Sequence, residues 1–464
     1  MAAKEKKEKK AKDPNKLGGG TLFIWSMNGA SGAVQVVLLS YLTVYLTNAL
    51  GMNVALVGAL LMGTKIFDGF TDLFAGYIVD RTNTKIGRGR PYDLCILGLW
   101  LTTWLLFSVP TGWSTVVKSV YVVVCYTLCQ SVFKTFMTAG NTAYMVRAFN
   151  NEQKYVKLNS WGGLITTSAV MVFNVIFPMF YANIIYDASG WKSLVGFIAV
   201  PLAIIGILRF IFIPEKYVVE DQAKPKTSVK DVVTLLKSNK YIYPVAILQF
   251  VVGIGSNISV SSYYYQYIVG NVSISGIMSL FSVIAMVSLI FYPMLLQHIS
   301  TKQLIQYSLL ISIGSAAIGM TAYDNLALLA VAGVLNGLVT LPVSYMAGLL
   351  IIDCADFNEW QGNARMEGTL ASVTGFMGKI GTAFASFFTG ALLGAVGFVS
   401  GAEVQSGAVL MMIRIGTYII PMAFYLLSAF LLRFYTLDKK KAQINADLAE
   451  RRAAREADSA QAQE

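Results

Sequence analysis

Two carboxylates stand one helical turn apart inside an apolar stretch of the chain. In the run TKIFDGFTDLFAGYIVDR, Lys65, Asp68 and Asp72 are spaced by three and four residues, so a helix would place them on one stripe beside Thr71. Two neighbouring acids repel each other, and they could bind Na⁺ through their oxygens, take up a proton or pair with a lysine. The other interpretation is a salt bridge between helices that only holds a bundle together.

A lysine in a second apolar stretch could serve these acids. Lys134 lies in CQSVFKTFMTAGNTAYMVR, and Thr138 and Asn141 share its helical face. A buried ammonium must find a carboxylate or lose its proton, which makes Asp68 and Asp72 its expected partners. The alternative is that the long side chain extends to the end of its helix, where the charge meets water.

Other polar residues in apolar stretches are candidates for a solute site. Lys379 lies deep in GTLASVTGFMGKIGTAFASFF, together with Thr374, and would contact a solute or an acid. Asn28 and Gln35 share one face of the first apolar stretch, and Asn257 precedes a cluster of three tyrosines. Polar stripes of this kind either line a cavity or bind helices to each other.

Other chemistry is poorly represented. The chain has one histidine, His298, and four cysteines without the spacing of a zinc site or a disulfide framework. The run GFMGKIG lacks the glycine spacing and the Ser/Thr of a phosphate loop. We therefore expect no catalytic residue, no metal and no cofactor, and we expect the protein not to be an enzyme.

Composition identifies the broad class. Of 464 residues, 55% are hydrophobic and 13% are charged, about half of the charged fraction of roughly 25% in soluble proteins. This excludes a soluble enzyme, a nucleic-acid binder or a disordered chain and leaves a membrane protein that crosses the bilayer several times. The net charge of +11 is spread over polar segments between apolar runs, so it indicates topology rather than a nucleic-acid partner.

The sequence predicts an all-α polytopic membrane protein. It contains about twelve apolar runs long enough to cross a bilayer, which takes about 20 residues each. The longest internal polar stretch separates six runs from six others. The predicted parts are a basic cytoplasmic tail (1–18), a first six-helix half (19–213), a central cytoplasmic loop (214–240), a second six-helix half (241–437) and a charged cytoplasmic tail (438–464), the last expected to be a solvated, frayed helix.

Lysine and arginine predict the orientation. Seven lysines lie in the first sixteen residues, and the basic loops fall on the same side, whereas the opposite loops hold only Lys118 and Lys192. Because cytoplasmic loops carry the excess of positive charge, both termini are expected to be cytoplasmic, in the cell membrane. Six spans, a central loop and six more spans is the layout of the major facilitator fold. A twelve-span channel or a membrane enzyme would look similar at this level.

Two segments carry a family resemblance. DGFTDLFAGYIVDRTNTKIGRGRP, beginning at Asp68, resembles the major facilitator loop signature between the second and third spans. DCADFNEWQGNARMEGTLASVTGFMGKIG, beginning at Asp353, resembles the D-x-x-D-x-x-E-W and R-x-E-G motifs of the glycoside–pentoside–hexuronide:cation symporters. The similarity extends over about residues 20–438. It implies the major facilitator fold, with twelve transmembrane helices in two six-helix halves, and cation-coupled symport of a sugar or glycoside by alternating access.

The resemblance also implies roles for the residues that match. Asp68, Asp72 and Thr71 match the cation-coupling positions, and Lys379 matches an essential lysine of the eleventh span. Charged residues of the two motif segments match a network that closes the cytoplasmic side. These gating residues are Asp80, Arg81, Arg88, Arg90, Asp353, Asp356, Glu359, Arg365 and Glu367.

The chain departs from the family at its cation and sugar sites. Lys134 stands where the family has a threonine that supplies a sodium ligand, so we expect H⁺ rather than Na⁺ coupling, or uncoupled transport. Gly32 and Met137 replace acids of the family's sugar site. With these acids absent and with Lys134 and Lys379 in apolar runs, an acidic sugar such as a glucuronide becomes plausible. The substrate-binding candidates are Lys379, Asn28, Gln35, Asn141, Asn257 and Thr374.

The expected partners are therefore a small sugar or glycoside and the lipid bilayer, with the protein active as a monomer. The alternatives are a transporter-like sensor, a carrier of a non-sugar solute with lost or altered coupling, and a channel. Solute flux into vesicles would separate these alternatives.

Overall fold

The computed structural model describes residues 17–149, 152–216, 239–258, 260–363 and 367–461. Twelve long helical segments, α1 to α12, follow one another along these residues. In chain order they are Gly19–Ala49, Val54–Arg81, Cys95–Leu106, Thr115–Phe149, Glu152–Tyr181, Ala188–Phe212, Ile242–Tyr267, 273–295, Thr301–Ala322, Leu326–Trp360, Glu367–Ala395 and Gly407–Phe434. A further helix, α13, spans Lys441–Gln461. The prediction of an all-α polytopic protein is confirmed.

Length and composition explain which segments can cross a bilayer. Among the described residues, ten segments are long and apolar enough to do so. The other two long helical segments, α3 and α8, are shorter or interrupted. The α3 helix has 12 residues and follows a 3-10 turn at Arg90–Leu94, and α8 passes from α-helix at Ser273–Ile284 into a 3-10 helix at Ala285–Phe291.

Each half is assembled from neighbouring helices around buried apolar side chains. In the first half, α1 packs on α5 and α6, and α3 packs on α6. In the second half, α7 packs on α11 and α12, and α10 packs on α8 and α9. The cluster of buried side chains that forms the core of the first half also includes Tyr263 and Val409 of the second half. The core of the second half includes Leu448 of α13.

The two halves approach each other closely where α2 packs on α11. A Cβ atom added to Gly58 would lie 2.7 Å from the carbonyl oxygen of Ser386, and one added to Gly390 would lie 2.5 Å from that of Val54. Side chains larger than glycine would separate these backbones, which is why small residues mark tight contacts between membrane helices. Gly276 of α8 makes the same kind of contact with α5.

The described contacts between the halves concentrate at one end of the bundle. The basic end is the end at which α2 finishes at Arg81 and α10 finishes at Trp360, and the opposite end is the one at which α1 finishes. At the opposite end the Thr47 and Tyr263 hydroxyls lie 2.8 Å apart, and Ser400 donates to the main chain between α1 and α2 over 2.7 Å. Side chains from both halves therefore close this end.

The C-terminal helix is docked on the basic end of the second half. Ile444 and Leu448 are buried, and Asp447 accepts a 2.7 Å hydrogen bond from the indole of Trp360. The expectation of a solvated tail is thus wrong for the first turns of α13, because every third or fourth residue there is apolar and finds a covered surface. The predicted N-terminal tail and central loop lie almost wholly outside the described residues.

Enlarging the α2–α11 contact is expected to hold the opposite end open. Gly390→Val should force these helices apart, since overpacking costs about 1–3 kcal/mol, enough to shift a two-state population by about tenfold. Disulfide formation between Ala55→Cys and Gly394→Cys, in a background without the four native cysteines, measures the closure. Gly375→Val, on the same helix with nothing within 4 Å of its added Cβ, is the matched control. Equal cross-linking in both variants would contradict the prediction.

Candidate functional site

An ion pair joins the two halves near the middle of α2. The Nζ of Lys379 on α11 lies 3.3 Å from Oδ2 of Asp68, and the two side chains are 39% and 18% exposed. Thr135 of α4 donates to the other carboxylate oxygen over 3.3 Å. The carboxylate is thus shared between a neutral donor in its own half and a cation in the other. A proton or a metal cation on Asp68 would neutralise it and weaken the pair.

Other polar groups of α2 are engaged nearby. Lys65 donates from Nζ to the hydroxyl of Ser386 on α11 over 2.7 Å, a second polar contact between the halves. Thr71 donates to the main-chain carbonyl of Asp68 over 2.9 Å, within its own helix. Asp72 belongs to α2, but its side chain lies outside the described part of the chain, so its role stays a prediction.

Lys134 faces α1 rather than the acids of α2. Its Nζ donates to the carbonyl oxygen of Gly32 over 2.9 Å, and no ion pair joins it to Asp68 among the residues described. The cation paired with Asp68 is Lys379 instead. The reason is local, because Lys134 ends the π-helical stretch Thr127–Lys134, and the next residue, Thr135, is the one directed at Asp68. The expectation that Lys134 neutralises Asp68 is not met in this conformation.

The side chains around Lys134 fill the space beside Gly32, where the family resemblance predicts that sugar-binding acids are replaced. A Cβ atom added to Gly32 would lie 2.9 Å from Nζ of Lys134 and 3.0 Å from Cε of Met137. Gly32 and Met137 are the two positions at which those acids are replaced in this chain. The ammonium of Lys134 and the thioether of Met137 therefore lie where the resemblance predicts the acidic part of the family's sugar site.

Several residues predicted to bind substrate instead hold helices together. Asn28 donates to the carbonyl of Gly206 on α6 over 3.0 Å, and Gln35 donates to the hydroxyl of Thr103 on α3 over 3.1 Å. Both are covered, at 3% and 0% exposure, and Thr374 is 1% exposed and bonded to carbonyls of its own helix. A covered amide offers no surface to a solute in this conformation. Of the two interpretations of the first-span stripe, the structure favours helix packing.

A predicted substrate residue, Asn257, marks a break in α7. The first part of α7 ends at Ser256 and the helix resumes at Ser261. Asn257 is exposed at the break and donates to the carbonyl oxygen of Gly253 over 2.9 Å. Interrupted helices within a membrane leave main-chain groups outside the helical ladder, and they recur at the binding sites of transporters.

Two groups of predicted gating residues make contacts within their own halves. Asp353 lies 2.7 Å from Nζ of Lys441 on α13. Arg90 donates to the carbonyl oxygen of Phe210 over 2.7 Å, and Arg88 donates to the main chain at the end of α2 over 3.2 Å. These charges are therefore committed to local partners in this conformation.

The remaining gating residues are placed less completely. Arg81 is exposed at the end of α2, and Asp356 and Glu359 are partly exposed on α10. The other members lie outside the described side chains: Asp80, Arg365 and Glu367. A charge clasp between the halves stays a prediction for another conformation.

Sequence reasoning missed Glu215, which holds the loop after α2. Its carboxylate accepts backbone hydrogen bonds of 2.7–2.9 Å from three consecutive residues, Arg88, Gly89 and Arg90. Gly87 enters this turn with a φ of +125°, in the left-handed region that favours glycine. A ring of amides around a carboxylate fixes the backbone from which both arginines project. No local pattern signals this contact, because Glu215 and Arg90 are 125 residues apart.

Sequence reasoning also missed a buried charge cluster in the first half. Arg209 of α6 makes a two-pronged ion pair with Asp93, including a 2.7 Å bond from Nε, and donates to Asn141 over 2.7 Å. Its guanidinium carbon lies 4.4 Å from the ring centroid of Trp25. Burial raises the pKa of the Asp93 carboxyl, and Arg209 opposes that rise. The signal available in the sequence is an arginine, Arg209, inside an apolar run. Asn141 was predicted to bind substrate, and in this structure it accepts a hydrogen bond from that arginine.

Fold and site together define a class of protein. Two six-helix halves meet at glycine contacts, close at one end and share an ion pair between their central helices, which is the arrangement of a secondary transporter of the major facilitator superfamily. The crystal structure of a D-xylose-proton symporter has the same fold, with a TM-score of 0.62 at 13% identity over 91% of this chain and 98% of the other. A bacterial homolog of the human lysosomal transporter Spinster gives a TM-score of 0.67 at 13% identity, over 93% and 99%.

Sequence comparison identifies the family. Residues 26–439 match the family described as MFS/sugar transport protein. The isoprimeverose transporter of Lactiplantibacillus pentosus is 26% identical over 426 residues, covering 89% of this chain and 88% of the relative. The glucuronide carrier protein homolog of Escherichia coli (strain K12) is 27% identical over 429 residues, covering 86% and 88%. The chain therefore belongs to the MFS/sugar transport protein family, and the resemblance to glycoside–pentoside–hexuronide:cation symporters is confirmed.

Removing one charge of the Arg209–Asp93 pair is expected to destabilise the first half. Arg209→Gln leaves a buried carboxylate without its cation, which costs about 3–5 kcal/mol. The apparent thermal unfolding temperature in detergent should fall, and the double variant Arg209→Gln/Asp93→Asn should recover part of the loss because no lone charge remains. A double variant less stable than Arg209→Gln alone would contradict this account.

Proposed function

We propose that the protein is a cell-membrane symporter that moves a sugar or glycoside together with a proton by alternating access. The observation that carries this proposal is the Asp68–Lys379 ion pair, because it joins a titratable carboxylate of one half to a cation of the other. Membership of a sugar-transport family supports the solute class. Relatives named as isoprimeverose, glucuronide and raffinose carriers support it further.

The ion pair supplies a mechanism for coupling. When Asp68 is ionised, Lys379 balances its charge and the halves stay linked at this point. When Asp68 takes up a proton, the attraction is lost and Lys379 is released from the carboxylate. Proton binding and the relative position of the halves are then linked, and a solute that prefers one arrangement is linked to the proton in turn.

A proton is favoured over Na⁺ because of Lys134. Na⁺ needs several oxygen ligands and an excess of negative charge, and Lys134 places an ammonium on the helix that also presents Thr135 to Asp68. The ammonium faces Gly32 in this conformation, yet its positive charge stays in the same half as the acids. Like charges raise the free energy of a bound metal cation.

The contacts at the two ends of the bundle support an inward-open state of the protein. With the basic end facing the cytoplasm, as the positive loops favour, the contacts of the opposite end close the outside. Asp353 and Arg90 then make local contacts at the open side. We propose that these residues exchange local partners for partners in the other half when the cytoplasmic side closes.

The contacts of Lys134 and Lys379 support a substrate class. An acidic glycoside was plausible because Lys134 and Lys379 stood in apolar runs. Lys379 is paired with the carboxylate of Asp68, and Lys134 donates to the uncharged carbonyl oxygen of Gly32. Both ammonium groups therefore have a protein partner in this conformation, although only Lys379 has an anionic one. We therefore propose a neutral sugar or glycoside.

A transporter-like sensor is the second candidate function. It is favoured by the replacement of both sugar-site acids, at Gly32 and Met137, around Lys134. A sensor would bind solute without carrying it across. Solute accumulation in proteoliposomes distinguishes the two functions directly.

Uptake into proteoliposomes tests the proposal. With pH and Na⁺ gradients imposed separately, neutral glycosides should accumulate with an inward proton gradient, and a Na⁺ gradient at constant pH should have no effect. Asp68→Asn should reduce proton-driven accumulation by at least about tenfold, in the range of typical coupling energies. Asp324→Asn, an exposed acid, is the control and should behave as wild type. Accumulation driven by Na⁺ would refute proton coupling.

Lys134→Thr tests the basis of ion selectivity in the same assay. Replacing the ammonium by a hydroxyl removes a positive charge and adds an oxygen ligand, so Na⁺ should begin to stimulate uptake. Lys192→Thr is the matched control, because Lys192 is an exposed lysine of the first half that lies at the opposite end of the bundle. It should leave the ion dependence unchanged. If Lys134→Thr remains insensitive to Na⁺, Lys134 does not determine the coupling ion.

A further inference from the structure

A cavity of about 370 Å³ lies beside the break in α7, apart from the Asp68–Lys379 pair. Its walls come mainly from α7, α8, α9, α10 and α12 of the second half, and α1 and α5 of the first half complete it. Residues that define it are Ser256, Tyr265, Ser279, Asn336, Tyr418 and, from the first half, Asn174. Since both halves contribute, the shape of the cavity changes when the halves move.

The cavity lies near the middle of the membrane. Asn336 comes ten residues after the start of α10 at Leu326, which is about 15 Å along a helix at about 1.5 Å per residue. The hydrocarbon core is about 30 Å thick. Solute sites of alternating-access carriers lie at this depth, because the site must open to either side in turn.

Polar groups are directed into this cavity without a full set of protein partners. Asn336 is exposed, and its side-chain amide makes no hydrogen bond among the described residues. Ser279 donates to the carbonyl oxygen of Gly276 over 2.6 Å, which leaves its oxygen free to accept. At mid-membrane depth an amide exposed on a helix needs a polar partner, since hydrocarbon offers none.

The chemistry of the lining matches an uncharged sugar. The residues around the cavity include eight serines, one threonine, two asparagines and several tyrosines, and no Asp, Glu, Lys or Arg is among the lining residues described. Hydroxyl and amide groups can donate to and accept from sugar hydroxyls. The rings of Tyr265 and Tyr418 offer apolar faces for the C–H side of a pyranose. The volume falls within the range of small-molecule sites, about 300–1,000 Å³.

We propose that this cavity is the binding site for the neutral sugar moiety of the substrate, carried mainly by the second half. The proposal rests on the proposed sugar transport. It separates solute binding from ion coupling, because the lining is uncharged and the coupling pair lies between α2 and α11. Specificity for sugars without a carboxylate follows, since an anion would enter a cavity that has no cation among its described lining residues.

Direct binding to the full-length protein in nanodiscs tests the proposal without any ion gradient. Isoprimeverose and lactose are the neutral probes and methyl glucuronide is the acidic probe, with isothermal titration calorimetry as the readout. Wild type should bind a neutral probe, and Asn336→Leu should raise its Kd by about tenfold, the effect of losing a buried hydrogen bond. Thr321→Leu, an exposed position on α9 outside the cavity, is the matched control and should leave Kd unchanged.

A second pair of variants guards against misfolding of Asn336→Leu. Tyr265→Phe keeps the ring and should retain most of the affinity, whereas Tyr265→Leu removes it and should weaken binding by about tenfold. Neutral-sugar binding that is unchanged by Asn336→Leu and Tyr265→Leu would overturn the assignment of the cavity. Preferential binding of methyl glucuronide would overturn it as well.

The outcomes also separate this inference from the proposed function. Binding of neutral sugars that depends on Asn336 but gives no accumulation in proteoliposomes would support the cavity and refute symport. Accumulation that is indifferent to Asn336→Leu would support symport and refute the cavity.

Discussion

The ion pair between Asp68 and Lys379 is the constraint on which the account of this transporter depends. A carboxylate within a membrane must be neutralised by a cation, a proton or a metal ion. Here the cation comes from the other half of the protein. The charge state of one side chain and the relative position of two six-helix halves are therefore not independent. Family membership identifies a carrier of the sugar-transport type, and in the proposed mechanism this pair links proton binding to the movement of the two halves.

Other contacts in the structure allow the two halves to take different relative positions. Glycines such as Gly58 and Gly390 let α2 and α11 meet at backbone distance when the opposite end is closed. At the basic end, Glu215 holds the loop that carries Arg88 and Arg90, and Lys441 holds Asp353. Each half is thus internally fixed while its contacts with the other half can change. In our proposal, solute binds in the uncharged cavity and the ion couples at the Asp68–Lys379 pair, so the two tasks use different residues.

Sequence reasoning predicted the fold because long apolar runs admit few structures in a membrane. It singled out Asp68 and Lys379 because ionisable residues in such runs are costly. It could not predict the direction of Lys134, because a π-helical turn in α4 decides which of two consecutive residues faces α2. Asn28 was ambiguous for the same reason, since a polar stripe serves helix packing or a cavity equally well until its neighbours are known. Glu215 was beyond local patterns because its partners are distant in sequence.

Proton exchange on sugar binding tests the central claim most directly. If sugar and proton bind cooperatively through Asp68, a neutral glycoside added to the detergent-purified protein in weakly buffered solution should draw up to about one proton per sugar from the medium. The pH of the medium should then rise. The same addition to Asp68→Asn should produce no change in pH, although sugar still binds. Binding by the wild-type protein without proton uptake, or equal uptake by Asp68→Asn, would contradict the account.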